Sequence, residues 1–462
     1  MNLTNRKSKE ELNKLRPKVN KILFFRVCGT GMGAAACLLK EVGFDVYGTD
    51  SDYFPPMSTY LEEKGIPKIP FSNVNYSDYD LVVVGNVVAR ASEDARKIEE
   101  SGTPFCSFPE IIGEFILKDK IVIGVSGTHG KTTTTYMLIQ LMENLGVKPG
   151  YFLGGVIEGR ASSSLGDSDY FVIESDEYDT AYFEKTPKFN HYHINDLILT
   201  SLEYDHADIY SSLDQIKKVF QHLIEITSGK IIFNKDYVAI DFISDSDRRF
   251  VSFGENTSQG PKNISYSESV TCFDLFGHLV RSNIFGLHNI LNLSSAILML
   301  KELGFDLEKI LEACLEIKLV KRRQERLGEI NGAIYYDDFA HHPTAMRLTL
   351  ESFSEKFLNQ TLSVVFEPSS STARSNVFEK EFLDVLKKAS QVFIIKPTRD
   401  TSAIGAQNID INKLSDQLNL SSVKTTCGLL PELETFLNSI DSGVVLFMSN
   451  GKLLGIKEKL FK

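Results

Sequence analysis

Gly127-Thr128-His129-Gly130-Lys131-Thr132, with Thr133 next, is the segment richest in chemistry. An apolar run, Ile121 to Val125, precedes it, and the helical run Thr133 to Asn144 follows. Between a strand and a helix, such a loop turns backbone N–H groups and the positive end of the helix dipole toward phosphate oxygens. Lys131 is placed to reach β- and γ-phosphates, and the Thr132 hydroxyl to ligate Mg²⁺. Val125 stands where the longer phosphate-loop pattern has its first glycine, so only the short G-T-x-G-K-T form is present. Two acidic strand ends lie downstream. Glu174 closes Tyr170-Phe171-Val172-Ile173, with Asp176, Glu177 and Asp179 after it. Glu203-Tyr204-Asp205-His206-Ala207-Asp208 follows the apolar Leu197 to Thr200. A carboxylate at a strand's carboxyl end beside a phosphate loop sits where a Mg²⁺ ligand belongs. Imidazole and carboxylate together can complete a metal shell.

A second glycine turn, Cys28-Gly29-Thr30-Gly31-Met32-Gly33-Ala34, follows the strand-like Lys21 to Val27. Gly29, Gly31 and Ala34 satisfy the dinucleotide-type G-x-G-x-x-[G/A] pattern, which lets backbone approach a pyrophosphate. Asp50, at the end of the next strand, can meet a ribose hydroxyl. The pattern leaves open whether the ligand is NAD, FAD or a UDP-sugar. A fourth cluster, Tyr335-Tyr336-Asp337-Asp338-Phe339-Ala340-His341-His342-Pro343, closes another strand and suggests a site facing a cleft. Zinc spacing is absent, and His191, His193, His222 and His278 read as ordinary polar or packing residues.

These turns need sheets to hold them. Strand-like runs alternate with helix-length segments: Asp45 to Thr49, Leu81 to Val84, Ile121 to Val125, Ala333 to Tyr336, Leu362 to Phe366, Val392 to Ile395 and Val444 to Phe447. Helices are expected over Ala34 to Val42 and Asn289 to Leu303, and short strands and turns over 229–285. Such alternation implies parallel sheets with right-handed crossovers. The chain's 462 residues give a prior of about three domains. We expect an α/β protein: a tail or short helix over 1–20, a Rossmann-like domain over 21–117, a central phosphate-loop domain with a parallel or mixed sheet over 118–322, and a Rossmann-like C-terminal domain over 323–462. A net charge of −11 argues against nucleic acid or an anionic membrane held by bulk charge. No apolar run is long enough to span a bilayer, and the first 20 residues lack the apolar core of a signal peptide. Six scattered cysteines without a CxxC pair read as reduced thiols in a cytoplasmic enzyme.

In this order the motifs resemble the Mur ligase family, ATP-dependent amide-forming enzymes of bacterial cell-wall synthesis. The resemblance rests on the GTHGKTT loop, Glu174-Ser175-Asp176-Glu177, Asp205-His206-Ala207-Asp208, His288-Asn289-x-x-Asn292, Arg322-Arg323 and Asp337-Asp338-Phe339-Ala340-His341-His342-Pro343. It runs from Lys21 to the end of the chain. Two branches compete. One adds L-alanine to UDP-N-acetylmuramate. The other, of cell-wall recycling, adds the tripeptide L-alanyl-γ-D-glutamyl-meso-diaminopimelate. Phe54-Pro55-Pro56-Met57-Ser58-Thr59, Glu177-Tyr178-Asp179-x-Ala181-Tyr182-Phe183, Lys188-Phe189-x-His191-Tyr192 and Leu202 to Ile209 are similar to the recycling branch. Glu367-Pro368-Ser369-Ser370-Ser371-Thr372 departs from that branch's arginine and asparagine.

The resemblance implies phosphoryl transfer from ATP to the muramyl carboxylate, then attack of the peptide amine on the acyl phosphate. It implies ATP contacts for Gly127, Thr128, His129, Gly130, Lys131, Thr132, Thr133, Asn289, Asn292, Arg323 and Asp338. Thr132, Glu174 and His206 would order Mg²⁺, and Lys131, His206, Arg323 and Asp338 would carry catalysis. Gly29, Gly31, Met32, Gly33, Asp50 and Asn86 would bind the UDP-sugar, and His341 and Arg374 the peptide. A monomer or weak homodimer is expected. Rivals from another class are a nucleotide-dependent switch and an NAD-binding protein. The first needs no second ligand domain, and the second leaves the phosphate loop unexplained.

Overall fold

Short runs of Val, Ile, Leu and Phe, buried on both faces, form the middle strands of parallel sheets here, as expected when helices cover each side of a sheet. The computed structural model describes residues 3–154, 160–205, 209–243, 247–267, 269–397 and 407–461. The chain divides into two compact units. One comprises Met1–Leu202, Lys217–Thr257 and Ser295–Ala313, the other Glu203–Ile216, Ser258–Ser294 and Cys314–Lys462.

The first unit holds two main sheets. β1 (Lys21–Phe25), β2 (Asp45–Asp50), β3 (Lys68–Pro70), β4 (Leu81–Val84) and β5 (Phe105–Ser107) make an all-parallel sheet in the order β3-β2-β1-β4-β5. The order reverses between β1 and β4, the place where parallel sheets open a crevice at their carboxyl ends. The helix Thr30–Val42 begins within the glycine turn that follows β1.

The second sheet is built from β6 (Ile121–Ser126), β7 (Gly150–Phe152), β8 (Ser163–Ser164), β9 (Tyr170–Glu174), β12 (Ile194–Leu199), β13 (Ile231–Asn234) and β14 (Phe250–Phe253). Its order is β14-β13-β12-β6-β9-β7-β8, antiparallel only where β8 joins β7. β10 (Asp179–Ala181) and β11 (Glu184–Pro187) pair as a separate antiparallel ribbon. β12 and β9 are therefore the two neighbours of β6, and the residues leaving all three strands share one edge.

The N-terminal segment is more than a tail. The helix Lys9–Leu15 is closed by a Ser8–Glu11 capping box and buries Leu12. Ahead of it, Asn5 and Lys7 exchange backbone hydrogen bonds with Phe105, extending the first sheet. Arg6 donates to Glu110 at 3.0 Å and to Glu184 at 2.6 Å. The short helix is thus the form taken, and the long-range partners Phe105, Glu110 and Glu184 are what fasten the segment.

In the second unit β15 (Lys262–Tyr266), β16 (Thr271–Leu275) and β17 (His278–Ser282) form an antiparallel sheet. β18 (Glu325–Ile330), β19 (Ala333–Asp338), β20 (Leu362–Phe366), β21 (Gln391–Ile395), β22 (Lys424–Gly428) and β23 (Gly443–Met448) form a six-stranded sheet ordered β18-β19-β23-β20-β21-β22. It is parallel except for the β18–β19 hairpin. No described helix is long and apolar enough to cross a membrane, and the six cysteines are free.

Candidate functional site

The phosphate loop leaves β6 and enters the helix Lys131–Asn144 through Gly130, whose φ of +84° is left-handed and favours glycine. β12 braces the loop from one side. Thr128 N–H donates to the Ser201 carbonyl at 3.2 Å, and His129 N–H donates to Ser201 Oγ at 2.7 Å. The Thr200 hydroxyl donates to the His129 carbonyl. β9 supplies the other side. Thr132 Oγ1 donates to Glu174 Oε1 at 2.9 Å, and Gly154 N–H donates to Glu174 Oε2 at 2.8 Å. A Cβ on Gly154 would lie 2.8–3.0 Å from the Glu174 carboxyl group, so glycine is what permits this approach.

Lys131 Nζ donates to the Gly127 carbonyl at 2.6 Å and to both oxygens of buried Glu177, at 2.9 and 3.2 Å. Burial alone would lower the Lys131 pKa. Glu177, Asp176 and Glu174 outweigh it and hold the ammonium above its ordinary value. Burial raises Glu174, against the pull of Lys131 and the Gly154 N–H. Two hard oxygen donors, one hydroxyl and one desolvated carboxylate, suit Mg²⁺. His206 lies outside the described residues. Lys217 pairs with Asp241 at 3.0 Å.

At the first glycine turn, Asp50 Oδ2 accepts from Cys28 N–H at 2.9 Å, and Oδ1 from Ser51 N–H at 2.8 Å. The Arg26 guanidinium lies 3.5 Å from Asp50 and 3.0 Å from Asp94. Asp50 thus anchors the turn itself. Gly31 packs against Phe108, and Gly33 stands where a Cβ would strike Met57 Sδ at 2.2 Å. Met32 is buried, and Asn86 is exposed beyond β4. Two of the motif's glycines therefore serve the packing of their helix against the starts of two neighbouring helices, Phe108–Phe115 and Met57–Glu63.

In the second unit the structure gathers Asn289, Gln324, Arg323 and Asp338. Asn289 Nδ2 donates to Gln324 Oε1 at 2.9 Å, and Gln324 N–H donates to Asp338 Oδ2 at 2.8 Å. Asp338 Oδ1 accepts from Ala340 N–H at 2.8 Å. Burial raises the Asp338 pKa, against Arg323 and those two N–H groups. His288 is pushed down to about 4, by burial first and then by Arg323.

The adjacent arginines share one aromatic neighbour. Both lie over the Phe339 ring, at 5.0 Å for Arg322 and 4.9 Å for Arg323, and Arg322 also donates to the carbonyls of Ser449 and Gly451. His341 Nδ1 lies 2.9 Å from the Phe339 carbonyl. His342 caps the helix Pro343–Lys356 by accepting from Thr344 N–H. Arg374 donates to the Ser369 carbonyl. Glu177, Gly154 and Ser201 were not among the expected site residues. Glu177 stood inside a quoted motif, while Gly154 acts through its backbone N–H and Ser201 through its carbonyl and hydroxyl, contacts that no motif records.

Comparison with known proteins agrees with this architecture. The Mur ligase family catalytic domain matches residues 21–120, the Mur ligase middle domain residues 125–300, and the Mur ligase glutamate ligase domain residues 322–429. The chain belongs to the Mur ligase family, with its three-domain α/β fold, and is an ATP-dependent ligase.

It is 34% identical to the UDP-N-acetylmuramate–L-alanyl-γ-D-glutamyl-meso-2,6-diaminoheptandioate ligase of Haemophilus influenzae, over 94% of this chain and 97% of that one. It is 36% identical to the Escherichia coli enzyme of the same name, over 80% and 84%. A UDP-N-acetylmuramate–L-alanine ligase of Lactococcus lactis is 30% identical over 93% and 94%. Among solved structures, a murein peptide ligase from Psychrobacter arcticus superposes with a TM-score of 0.68 at 28% identity, covering 96% of this chain and 98% of that one.

Proposed function

We propose that the protein joins UDP-N-acetylmuramate to the tripeptide L-alanyl-γ-D-glutamyl-meso-diaminopimelate in the cytoplasm, using ATP and Mg²⁺, in the recycling of cell-wall peptide. The observation that carries this reading is the half-buried Lys131, Thr132 and Glu174 cluster between β6 and β9, in one compact unit with a second glycine-rich turn after β1. One turn for a triphosphate and another for a nucleotide sugar are what a two-nucleotide ligase requires. The choice of acceptor is supported by the names of the relatives that are 34% and 36% identical.

An amide cannot form directly from a carboxylate, because oxide is no leaving group. The γ-phosphoryl of ATP passes to a muramyl carboxylate oxygen, breaking the bond between the terminal phosphorus and the bridging oxygen. The peptide amine then attacks the acyl carbon, loses a proton, and phosphate departs. The protein's part is positioning and charge neutralisation. Gly127 and Gly130 offer backbone N–H groups, Thr128 and His129 shape the loop through their bonds to Ser201, Lys131 meets the β- and γ-phosphates, and Thr133 continues the helix end that faces them. Thr132 and Glu174, with His206, would hold Mg²⁺, which neutralises phosphate charge when bound.

Asn289, Asn292, Arg323 and Asp338 serve the nucleotide, and His341 and Arg374 the incoming peptide. Gly29, Gly31, Met32, Gly33, Asp50 and Asn86 serve the UDP-sugar. The domains run over 21–117, 118–322 and 323–462, and the protein works as a monomer or weak homodimer without nucleic acid.

Phosphate release from MgATP with UDP-N-acetylmuramate plus either acceptor decides the matter. Release with the tripeptide and not with L-alanine is expected. Release with L-alanine alone would move the protein to the other branch, and release with neither would refute the acceptor assignment altogether.

A further inference from the structure

We propose that Glu177 is a positioning residue that holds Lys131 in the nucleotide-free enzyme and yields it to the incoming triphosphate, so that this exchange sets the affinity for ATP. The proposal rests on the reading of the loop as an ATP site. An ammonium group has three N–H donors. Here one goes to the Gly127 carbonyl, and the others face the two oxygens of Glu177. Every donor is engaged, so Lys131 can meet a phosphate only by exchanging a partner.

Gly127 is the fixed one. A Cβ on it would come within 2.4 Å of Thr200 Oγ1 and 2.8 Å of the Ser201 backbone. The following residue, Thr128, is bonded to Ser201 as well. Glu177 is the exchangeable one, because a phosphate offers the same charge and acceptor geometry as its carboxylate. Glu174 and Asp176 also act on Lys131, so a triphosphate enters a site already rich in negative charge. Part of its attraction to Lys131 goes into breaking an ion pair of comparable strength, and ATP binds more weakly than the loop alone would allow.

Glu177→Gln keeps the shape and one acceptor but removes the charge. The affinity for a non-hydrolysable ATP analogue with Mg²⁺, measured by calorimetry without acceptor, should rise about tenfold. Glu177→Asp, one methylene short of Lys131, should tighten binding by a smaller factor and decides the question if the first variant does not fold. A residue that only braced the fold would leave affinity unchanged or weaken it. In a Lys131→Met background the Glu177→Gln change should have no more than about a twofold effect. Equal tightening there would overturn the proposal, since bulk charge rather than the pair would then be responsible. Unchanged or weaker binding in the single Glu177 variants, with the wild type binding normally, would also overturn it. A wild type that binds no analogue at all would remove the ATP reading together with the proposal.

Discussion

The loop residues do their chemistry through partners that were invisible as motif members, and Gly154 is the sharpest case. Its N–H meets the Glu174 carboxylate only because it has no side chain. Gly154→Ala would set a methyl group inside the contact distance of a carboxylate that also accepts from Thr132. The side chain of Glu174 must then swing away from Thr132, and the oxygen pair suited to Mg²⁺ separates. We expect kcat/KM for ATP to fall by about 10–100-fold, the size of effect seen when a metal ligand loses its supporting partner. The Mg²⁺ concentration for half-maximal activity should rise in parallel, while the melting temperature stays within a few degrees. Phosphate release across a Mg²⁺ titration measures both. A loss of activity without a shifted Mg²⁺ requirement would mean that Glu174 serves the loop and not an ion.

Elements are held by contacts far apart in sequence, and these mark where reading from sequence reached its limit. Buried runs such as Leu81–Val84, four apolar residues in succession, and Leu362–Phe366, apolar but for Ser363, were legible to the residue, since a strand covered on both faces is apolar along nearly its whole length. The glycine turn hid its helix. Gly31 and Gly33 disfavour a helix locally, yet the helix starts at Thr30 because those positions must pack closely on Phe108 and Met57. Short strands such as β8 and β10, with little apolar content, gave no periodicity to detect. Phosphate-loop identity was legible from Gly130, Lys131 and Thr132, but the bracing by Ser201 and Glu177 depended on a strand order that no local pattern contains.

One such contact is open to test. The helix Phe108–Phe115 lies so close to the segment Lys188–His191 that a Cβ on Gly113 would fall 2.0 Å from the His191 carbonyl oxygen. Glu114 of the same helix reaches His193 at 2.9 Å. Because the obstacle is backbone, it cannot rotate away. Gly113→Ala should cost about 2–4 kcal/mol of stability by overpacking. Urea unfolding reads this directly, and an unchanged midpoint would show that helix and segment separate freely.

In the whole molecule, the first unit carries two glycine turns on two sheets, and each is fastened by its own residues. Asp50 and Arg26 hold the turn after β1, while Thr200, Ser201 and Glu177 hold the loop after β6. The sheets meet through other residues: Ser163 donates to the Ala34 carbonyl at 2.8 Å, and Tyr60 to the Ser163 carbonyl at 3.3 Å. A change confined to Lys131 leaves both of those contacts in place. On the function proposed above, Lys131→Met should reduce phosphate release by about 1,000-fold or more, because it deletes the cation that meets charge developing on the transferred group. It should leave the dissociation constant for UDP-N-acetylmuramate within about twofold. Calorimetry with the sugar nucleotide and a phosphate-release assay on the same preparation give the two numbers. Parallel losses would mean that the turns form one interdependent site, and two separately fastened loops would then be the wrong description of how this ligase brings its substrates together.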